Sequence, residues 1–297
     1  MKKNVLALGY FDSLHIGHRK LLSSALTYAK ENGCRLTVAT FNDGFLKAVR
    51  KGEKEVFLLE ERKRILRSLG VEDVLVFPSD IGFLSQNRDE FCRYINGFEF
   101  EAVFVGTDYR FGKNAEGDAG YLRDNLTAKV FVEDIVCINN KKVSSSDIRR
   151  HILRGEMEEA ALLLTQPYFI MGKVIKGRTD GRKMNLPTLN MLPPAEKELP
   201  LCGVYATETE FAGKKYLSVT NVGTHPTFGD ETINVETHVL DFDGQIYDEE
   251  VTVYFDRFLR KIQKFDTMDE LKLQIEKDIE FTKEYYYDKI RRSGQQQ

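Results

Sequence analysis

The feature that most constrains the fold is a change of pattern part-way along the chain. Before Thr165-Gln166-Pro167, short apolar runs alternate with helical stripes. Residues 5–8, 36–41, 74–77, 102–105 and 130–136 read as strands, and 17–32, 58–69 and 88–95 as helices between them. Alternating strand and helix implies a parallel sheet covered on both faces, with ligands at the carboxyl ends of its strands. Two further helical stretches, 146–154 and 156–164, precede the break. Beyond it come closely spaced β segments at 168–174, 203–208, 216–222, 233–242 and 250–258, punctuated by Gly and Pro. That spacing predicts a small antiparallel barrel or sandwich, followed by a long helix over 269–292. The expected architecture is therefore an α/β Rossmann-like domain over 1–165 and a mainly antiparallel β-barrel domain over 166–297 with a C-terminal helix.

With 297 residues, each half is long enough to bury a core of its own. The 43 Lys plus Arg nearly balance the 46 Asp plus Glu, leaving a net charge of −3. No basic block suggests a nucleic-acid partner. No apolar run approaches the ~20 residues of a membrane span, and Val5-Leu6-Ala7-Leu8 is too short for a signal-peptide core. The four cysteines are tens of residues apart, without metal-ligand spacing. Sparse cysteines in a chain of this size point to the cytoplasm. Oligomeric state is not legible.

The first chemistry-bearing stretch is Gly9-Tyr10-Phe11-Asp12-Ser13-Leu14-His15-Ile16-Gly17-His18, a strand running through a turn into a helix. His15 and His18 are three apart at the helix start, so they share a face. Free N–H groups and the positive end of the helix dipole point the same way, which suits the phosphates of a nucleotide. Gly17 lets backbone approach a ligand closely. Two histidines in a turn are ordinary; the strand, Phe-Asp, His-x-Gly-His and amphipathic helix in succession are not.

These residues resemble the His-x-Gly-His nucleotidylyltransferase superfamily, whose members join a nucleotide to a phosphate-bearing acceptor on a Rossmann-like sheet. Its second signature resembles Val143-Ser144-Ser145-Ser146-Asp147-Ile148-Arg149. The resemblance implies ATP binding by Gly9, Phe11, Asp12, Gly17, Ser145 and Ser146, with His15, His18 and Arg149 stabilising negative charge. Val105 to Lys113, Gly117-Asp118 and Leu58 to Lys63 narrow the likeness to the bifunctional riboflavin kinase/FAD synthetase family. There Asp108, Arg110 and Phe111 occupy positions at the flavin end of the adenylylation site. The chain departs from that family at Ser13, where Gly is usual, and at Asn42-Asp43-Gly44, which stands where a Pro and a His are usual.

The second half opens on a basic loop bracketed by Gly177 and Gly181, able to close over phosphates. Pro187-Thr188-Leu189-Asn190 then sets two oxygen-bearing side chains on one face of an extended segment, where they suit Mg²⁺ beside a triphosphate. The stretch is similar to the riboflavin kinase signature, with Asn185 replacing a Gly and Leu189 an Ala. Gly203-Val204-Tyr205-Ala206 and Asn221 to Gly229 are similar too. In Asn234-Val235-Glu236-Thr237-His238, alternation puts Glu236 and His238 opposite Val235, Thr237 and Val239. The resemblance makes Thr188 and Asn190 metal ligands and Glu236 the general base. It implies two reactions with ATP as co-substrate and Mg²⁺ as cofactor: riboflavin to FMN, and FMN to FAD. A monofunctional enzyme with one decayed site, and a flavin carrier without chemistry, are alternative readings of the same residues.

Overall fold

The computed structural model describes residues 3–50, 52–175, 188–224, 233–244 and 246–294. The chain divides into two compact units: Met1–Ile148 together with Glu196–Glu198, and Arg149–Ala195 together with Leu199–Gln297.

In the first unit, β1 (Asn4–Leu8), β2 (Arg35–Phe41), β3 (Asp73–Phe77), β4 (Ala102–Gly106) and β7 (Lys129–Glu133) pair in the order β3-β2-β1-β4-β7, all parallel. The apolar run Val5 to Leu8 is fully buried, as a central parallel strand must be. Helix α1 (Ile16–Glu31) buries Leu21, Leu22, Ala25 and Ala29, the stripe read from the sequence. Helices α2 (Phe45–Val49), α3 (Leu59–Ser68), α4 (Ile81–Leu84), α5 (Arg88–Asn96) and α6 (Ala119–Asn125) complete the connections. Helix α5 starts on a reciprocal cap: Asn87 accepts from the Glu90 N–H at 2.9 Å, and Glu90 accepts from the Asn87 N–H at 2.8 Å. Strand order reverses between β1 and β4, so the segments leaving these two strands flank the topological switch point, where open α/β sheets bind ligands. Those segments are Gly9–His15 and Thr107–Phe111. Two short ribbons, β5 (Arg110–Phe111) with β6 (Gly117–Asp118) and β8 (Cys137–Ile138) with β9 (Lys141–Lys142), lie outside the main sheet.

Helix α7 (Ser145–Leu153) spans the division between the units, which falls after Ile148. In the second unit, α8 (Met157–Leu164) precedes β10 (Tyr168–Lys173), β11 (Thr188–Met191), β12 (Gly203–Phe211), β13 (Lys214–Thr224), β14 (Ile233–Val239) and β15 (Glu250–Arg260). These strands are antiparallel in the order β10-β15-β12-β13-β14-β11. A bridge between Ile175, just past β10, and Asn190 in β11 joins the two ends of the sheet, its Ile175 N–H donating to the Asn190 carbonyl at 2.8 Å. That single bridge curls the sheet toward a barrel, bringing its two outer strands together at one point. One seam of the interior is polar. The buried hydroxyls of Thr209, Ser218, Thr207, Thr220 and Thr237 bond in sequence at 2.8–2.9 Å. Each hydroxyl both donates and accepts, so a chain of them is satisfied without water.

The terminal helix α9 (Met268–Gly294) is fixed to this unit by charge. Arg260 grips Asp278 through Nε at 3.0 and 3.1 Å and through Nη2 at 2.8 Å. Further along, Tyr286 and Lys289 both donate to Asp256.

Candidate active sites

The first site is built on the turn between β1 and α1. His15 is the N-cap of α1, and its Nδ1 accepts the backbone N–H of His18 at 3.2 Å. A nitrogen that accepts a hydrogen bond carries no proton, so the ring proton of His15 is on Nε2. The two imidazoles stack with centroids 3.7 Å apart and planes 10° from parallel. Phe11 meets the His18 ring edge-on at 5.2 Å. Burial pushes the His15 pKa down to about 4. Burial, then the neighbouring His15 and Lys142, hold His18 well below the usual histidine value. Both rings are therefore neutral near pH 7, so each can offer an N–H donor but no positive charge. Nδ1 of His18 is buried with no hydrogen-bond partner among the described residues, an unsatisfied polar atom of the kind that collects at functional sites.

The turn holding these rings is strained and tightly bound. Phe11 and Leu14 adopt φ of +55° and +47°, a region costly for side chains of this size. A Cβ on Gly9 would lie 2.9 Å from the Phe11 ring, and one on Gly17 would lie 3.1 Å from His15 Cε1, so a side chain at either position would press on these rings. The strain is answered by hydrogen bonds. Thr40 and Arg62 donate to the Tyr10 carbonyl at 2.6 and 3.2 Å. The N–H groups of Val56 and Phe57 donate to Asp12, to Oδ1 at 2.8 Å and to the carbonyl at 3.2 Å. Arg19 Nε donates to the Leu14 carbonyl at 3.1 Å. Asp12, read from sequence as a nucleotide contact, thus has one carboxylate oxygen engaged with Val56.

Ser145, which opens α7, shares a 2.9 Å hydrogen bond with the buried Ser13. The two signatures, 132 positions apart, meet at this pair, and the residue that departs from the family pattern makes the contact. The hydroxyl that caps α7 belongs to Ser144, which accepts from the Asp147 N–H at 3.2 Å; sequence reading named its neighbours instead. Ser146 is exposed, and Arg149, one turn further along α7, is buried.

After β4, Asp108 and Arg110 are exposed, and Asp108 pairs with Lys142 of β9 at 2.5 Å. Lys142 was missed in the sequence. Phe111 is 6% exposed and packs on Phe91 at 4.8 Å, inside the core. A ring so enclosed helps to hold the segment in place. The departing loop Asn42-Asp43-Gly44 is integrated rather than vacant: Asp43 accepts the Leu59 N–H at 2.7 Å, and the Gly44 N–H donates to Glu55 at 2.9 Å.

The second site lies on one side of β11 and β14. Their register sets Thr188 opposite His238 and Asn190 opposite Glu236. Thr188 donates its hydroxyl to Glu236 Oε1 at 2.7 Å. Asn190 is 2% exposed, and its Oδ1 accepts from Asn234 Nδ2 at 2.7 Å. The side-chain Oδ1 of Asn234 is buried with no partner among the described residues. Thr188, Asn190, Asn234 and Glu236 thus offer only oxygen ligands of the hard type. Gly177, Gly181, Asn185 and His225 lie outside the described residues.

Paired histidines at a helix start on a parallel sheet, with a carboxylate and oxygen ligands on a separate barrel, define a two-site protein that handles phosphate. The family model for FAD synthetase matches residues 1–147, and that for riboflavin kinase matches 164–286. A bifunctional riboflavin kinase/FMN adenylyltransferase of Bacillus subtilis is 34% identical over 294 residues, covering 96% of this chain and 93% of its own. Its Escherichia coli K12 counterpart is 31% identical over 295 residues, covering 95% and 92%. A crystal structure from Streptococcus pneumoniae, described as a macrolide-efflux protein, superposes with a TM-score of 0.85 at 32% identity, over 95% of this chain and 94% of that one. The chain belongs to the bifunctional riboflavin kinase/FMN adenylyltransferase family.

Proposed function

We propose that the chain phosphorylates riboflavin to FMN in its second half and adenylylates FMN to FAD in its first, using ATP for both. The observation that carries the adenylylation reading is the stacked, neutral His15–His18 pair at the start of α1. In that reaction an FMN phosphate oxygen attacks the α-phosphorus of ATP in line, and pyrophosphate leaves with the bonding electrons. Negative charge grows on the phosphoryl oxygens, and donors already aimed there stabilise it without reorganising. His15 offers Nε2–H, fixed in that tautomer by its own helix. Arg149, Ser145 and Ser146 supply further donors, and Gly9, Phe11, Asp12 and Gly17 shape and hold the turn. Asp108 and Arg110 serve the flavin end, with Phe111 as their support.

In the kinase half, Glu236 accepts the proton of the riboflavin hydroxyl as that oxygen attacks the γ-phosphorus and ADP departs. Thr188 and Asn190 would hold Mg²⁺. The all-oxygen donor set and the unpaired side-chain Oδ1 of Asn234 fit a hard cation that keeps several waters and substrate oxygens. When bound, the ion would neutralise phosphate charge. Gly177 and Gly181 belong to a loop suited to cover the triphosphate.

We take the functional boundary as 1–165 and 166–297; the FAD synthetase match ends at residue 147 and the riboflavin kinase match begins at 164. Four free cysteines support a cytoplasmic enzyme. An efflux role finds no support: among the described residues no helix is long and apolar enough to cross a membrane. The test is His15→Ala with His18→Ala. FAD formation from supplied FMN should vanish while FMN formation from riboflavin persists. Equal loss of both in a folded variant would overturn the two-site reading.

A further inference from the structure

Lys197 lies within the stretch that matches riboflavin kinase, 164–286, yet it folds with the first unit. The segment Glu196–Glu198 runs alongside residue 55 as a parallel bridge. Glu55 donates its N–H to the Glu196 carbonyl at 2.8 Å and accepts from the Glu198 N–H at 2.8 Å. Between these two bonds the Lys197 side chain enters the core, where it is 0% exposed. Its ammonium donates to Glu61 Oε2 at 2.5 Å and to the Val56 carbonyl at 2.7 Å, and sits 4.8 Å from the Phe57 ring centroid. Burial lowers its pKa and Glu61 opposes that shift.

The carbonyl that Lys197 holds belongs to the peptide joining Val56 and Phe57. The N–H of that same peptide donates to the Asp12 carbonyl, and the preceding N–H, of Val56, donates to Asp12 Oδ1. The Glu55 side chain, beside them, accepts from the Tyr10 hydroxyl at 3.2 Å. Residues 55–57 therefore clamp the turn that carries Phe11 and Leu14 at positive φ and delivers His15. A charged donor on one end of a peptide strengthens the hydrogen bond made by its other end. Strained backbone of this kind persists only where its surroundings over-determine it.

We propose that Lys197 is a positioning residue for adenylyl transfer: by fixing the Val56–Phe57 peptide it holds the Asp12 turn, and through it the paired histidines, in register for the nucleotide phosphates. The kinase part of the sequence thereby supplies a structural element of the adenylylation site. This rests on the reading of that site given above.

The experiment uses the full chain. Lys197→Met keeps the length of the side chain and removes the ammonium. A misplacement of about 1 Å at reacting groups can cost about 10²-fold in rate. FAD formation from supplied FMN should fall about 10- to 100-fold, mainly in kcat, at temperatures where circular dichroism shows the variant folded. FMN formation by the same protein should stay within about threefold of wild type, well short of that loss. Because Lys197→Met strands the Glu61 carboxylate in the core, the second variant is Lys197→Met with Glu61→Gln. Neutralising the stranded charge should recover most of the lost thermal stability, while FAD formation stays low because the Val56 carbonyl still lacks its donor. Recovery of FAD formation in step with stability would reduce Lys197 to a core ion pair and overturn the proposal. So would FAD formation near wild type in folded Lys197→Met. If Lys197→Met does not fold, the double variant decides the matter by the same criterion. Loss of FAD formation in Lys197→Met while His15→Ala with His18→Ala remains fully active would fault the site reading rather than the clamp.

Discussion

Thr188 donates its hydroxyl to Glu236 across 2.7 Å, joining neighbouring strands of the barrel. The bond fixes the Glu236 carboxylate in the position proposed for a general base. Glu236→Gln keeps the shape and removes the base. A positioned base contributes about 10²–10⁴-fold, so single-turnover FMN formation should fall by that order. FAD formed from supplied FMN should be unchanged. A Gln variant within about threefold of wild type, far below the range for a base, would show that the proton leaves by another route.

The histidine pair sets a pH dependence of stability. His15 titrates at about 4 in the folded chain, and an exposed histidine titrates near 6.5. Between these values the unfolded chain binds more protons than the folded one. Stability therefore rises with pH across this window and is lost as pH falls through it. His18, shifted in the same direction, adds to the effect. Each ring contributes at most about 1.4 kcal/mol per pH unit. Urea midpoints measured from pH 7 down to pH 4 should decline, and less steeply in His15→Gln with His18→Gln. An identical slope in that variant would show that carboxylates alone carry the acid sensitivity.

Most of the architecture was legible because it rests on local pattern. The β1 run, the α1 stripe and the long helix α9 follow from hydrophobic period, and the barrel from its spacing of short strands. Some neighbourhoods follow from the same patterns: the switch point of the parallel sheet lies beside the segments after β1 and β4, and the β11–β14 register sets Asn190 opposite Glu236. What sequence could not give was anything decided by partners distant along the chain. Lys197 looks like a solvated lysine in Glu196-Lys197-Glu198, and only the fold buries it against Glu61. The packing of Phe111 against Phe91 is likewise set by the fold. The threonines of β12 and β13 look like surface alternation, whereas the barrel pairs their hydroxyls inside. Ser13 stands out in the sequence as a departure from the family pattern, and its partner lies 132 residues away.

That partnership is measurable. Ser13→Ala and Ser145→Ala each remove one half of a 2.9 Å hydrogen bond, and Ser13 is wholly buried. A double-mutant cycle on denaturant stability should return a coupling of about 0.5–1.5 kcal/mol. Coupling indistinguishable from zero would mean the two signatures are held together by backbone packing alone.

The anchor of α9 predicts a different division of effects. Arg260 and Asp278 are both largely enclosed, and the guanidinium grips both carboxylate oxygens. Removing one member of such a pair leaves a charge without its counter-ion and costs about 3 kcal/mol. Asp278→Ala should lower the unfolding midpoint of the barrel by a corresponding amount, while FAD formation from FMN at 25 °C persists. Unchanged thermal unfolding would show that α9 is held by its apolar contacts.

The kinase half should work alone, and residues before the pattern break at Pro167 fold with it. Helix α8 lies before that break and folds with the barrel unit, burying Met157, Ala160 and Leu164. Glu158 of that helix pairs with Arg257 of β15 at 3.1 Å. Just before the helix, Gly155 at φ +71° lies so close to the Phe258 ring that a Cβ would be 3.2 Å from it. A fragment of residues 166–297 deletes all of this and exposes the apolar surface beneath. Each large side chain removed forfeits roughly 1.5–3 kcal/mol of burial, a sizeable share of the 5–15 kcal/mol typical of a domain. A fragment of residues 149–297 keeps α8 and its contacts. Both fragments should convert riboflavin to FMN where folded, and the longer should melt at the higher temperature. Neither should form FAD. If the shorter fragment matches the longer in both melting temperature and FMN formation, α8 contributes nothing to the barrel, and the pattern break is the true boundary.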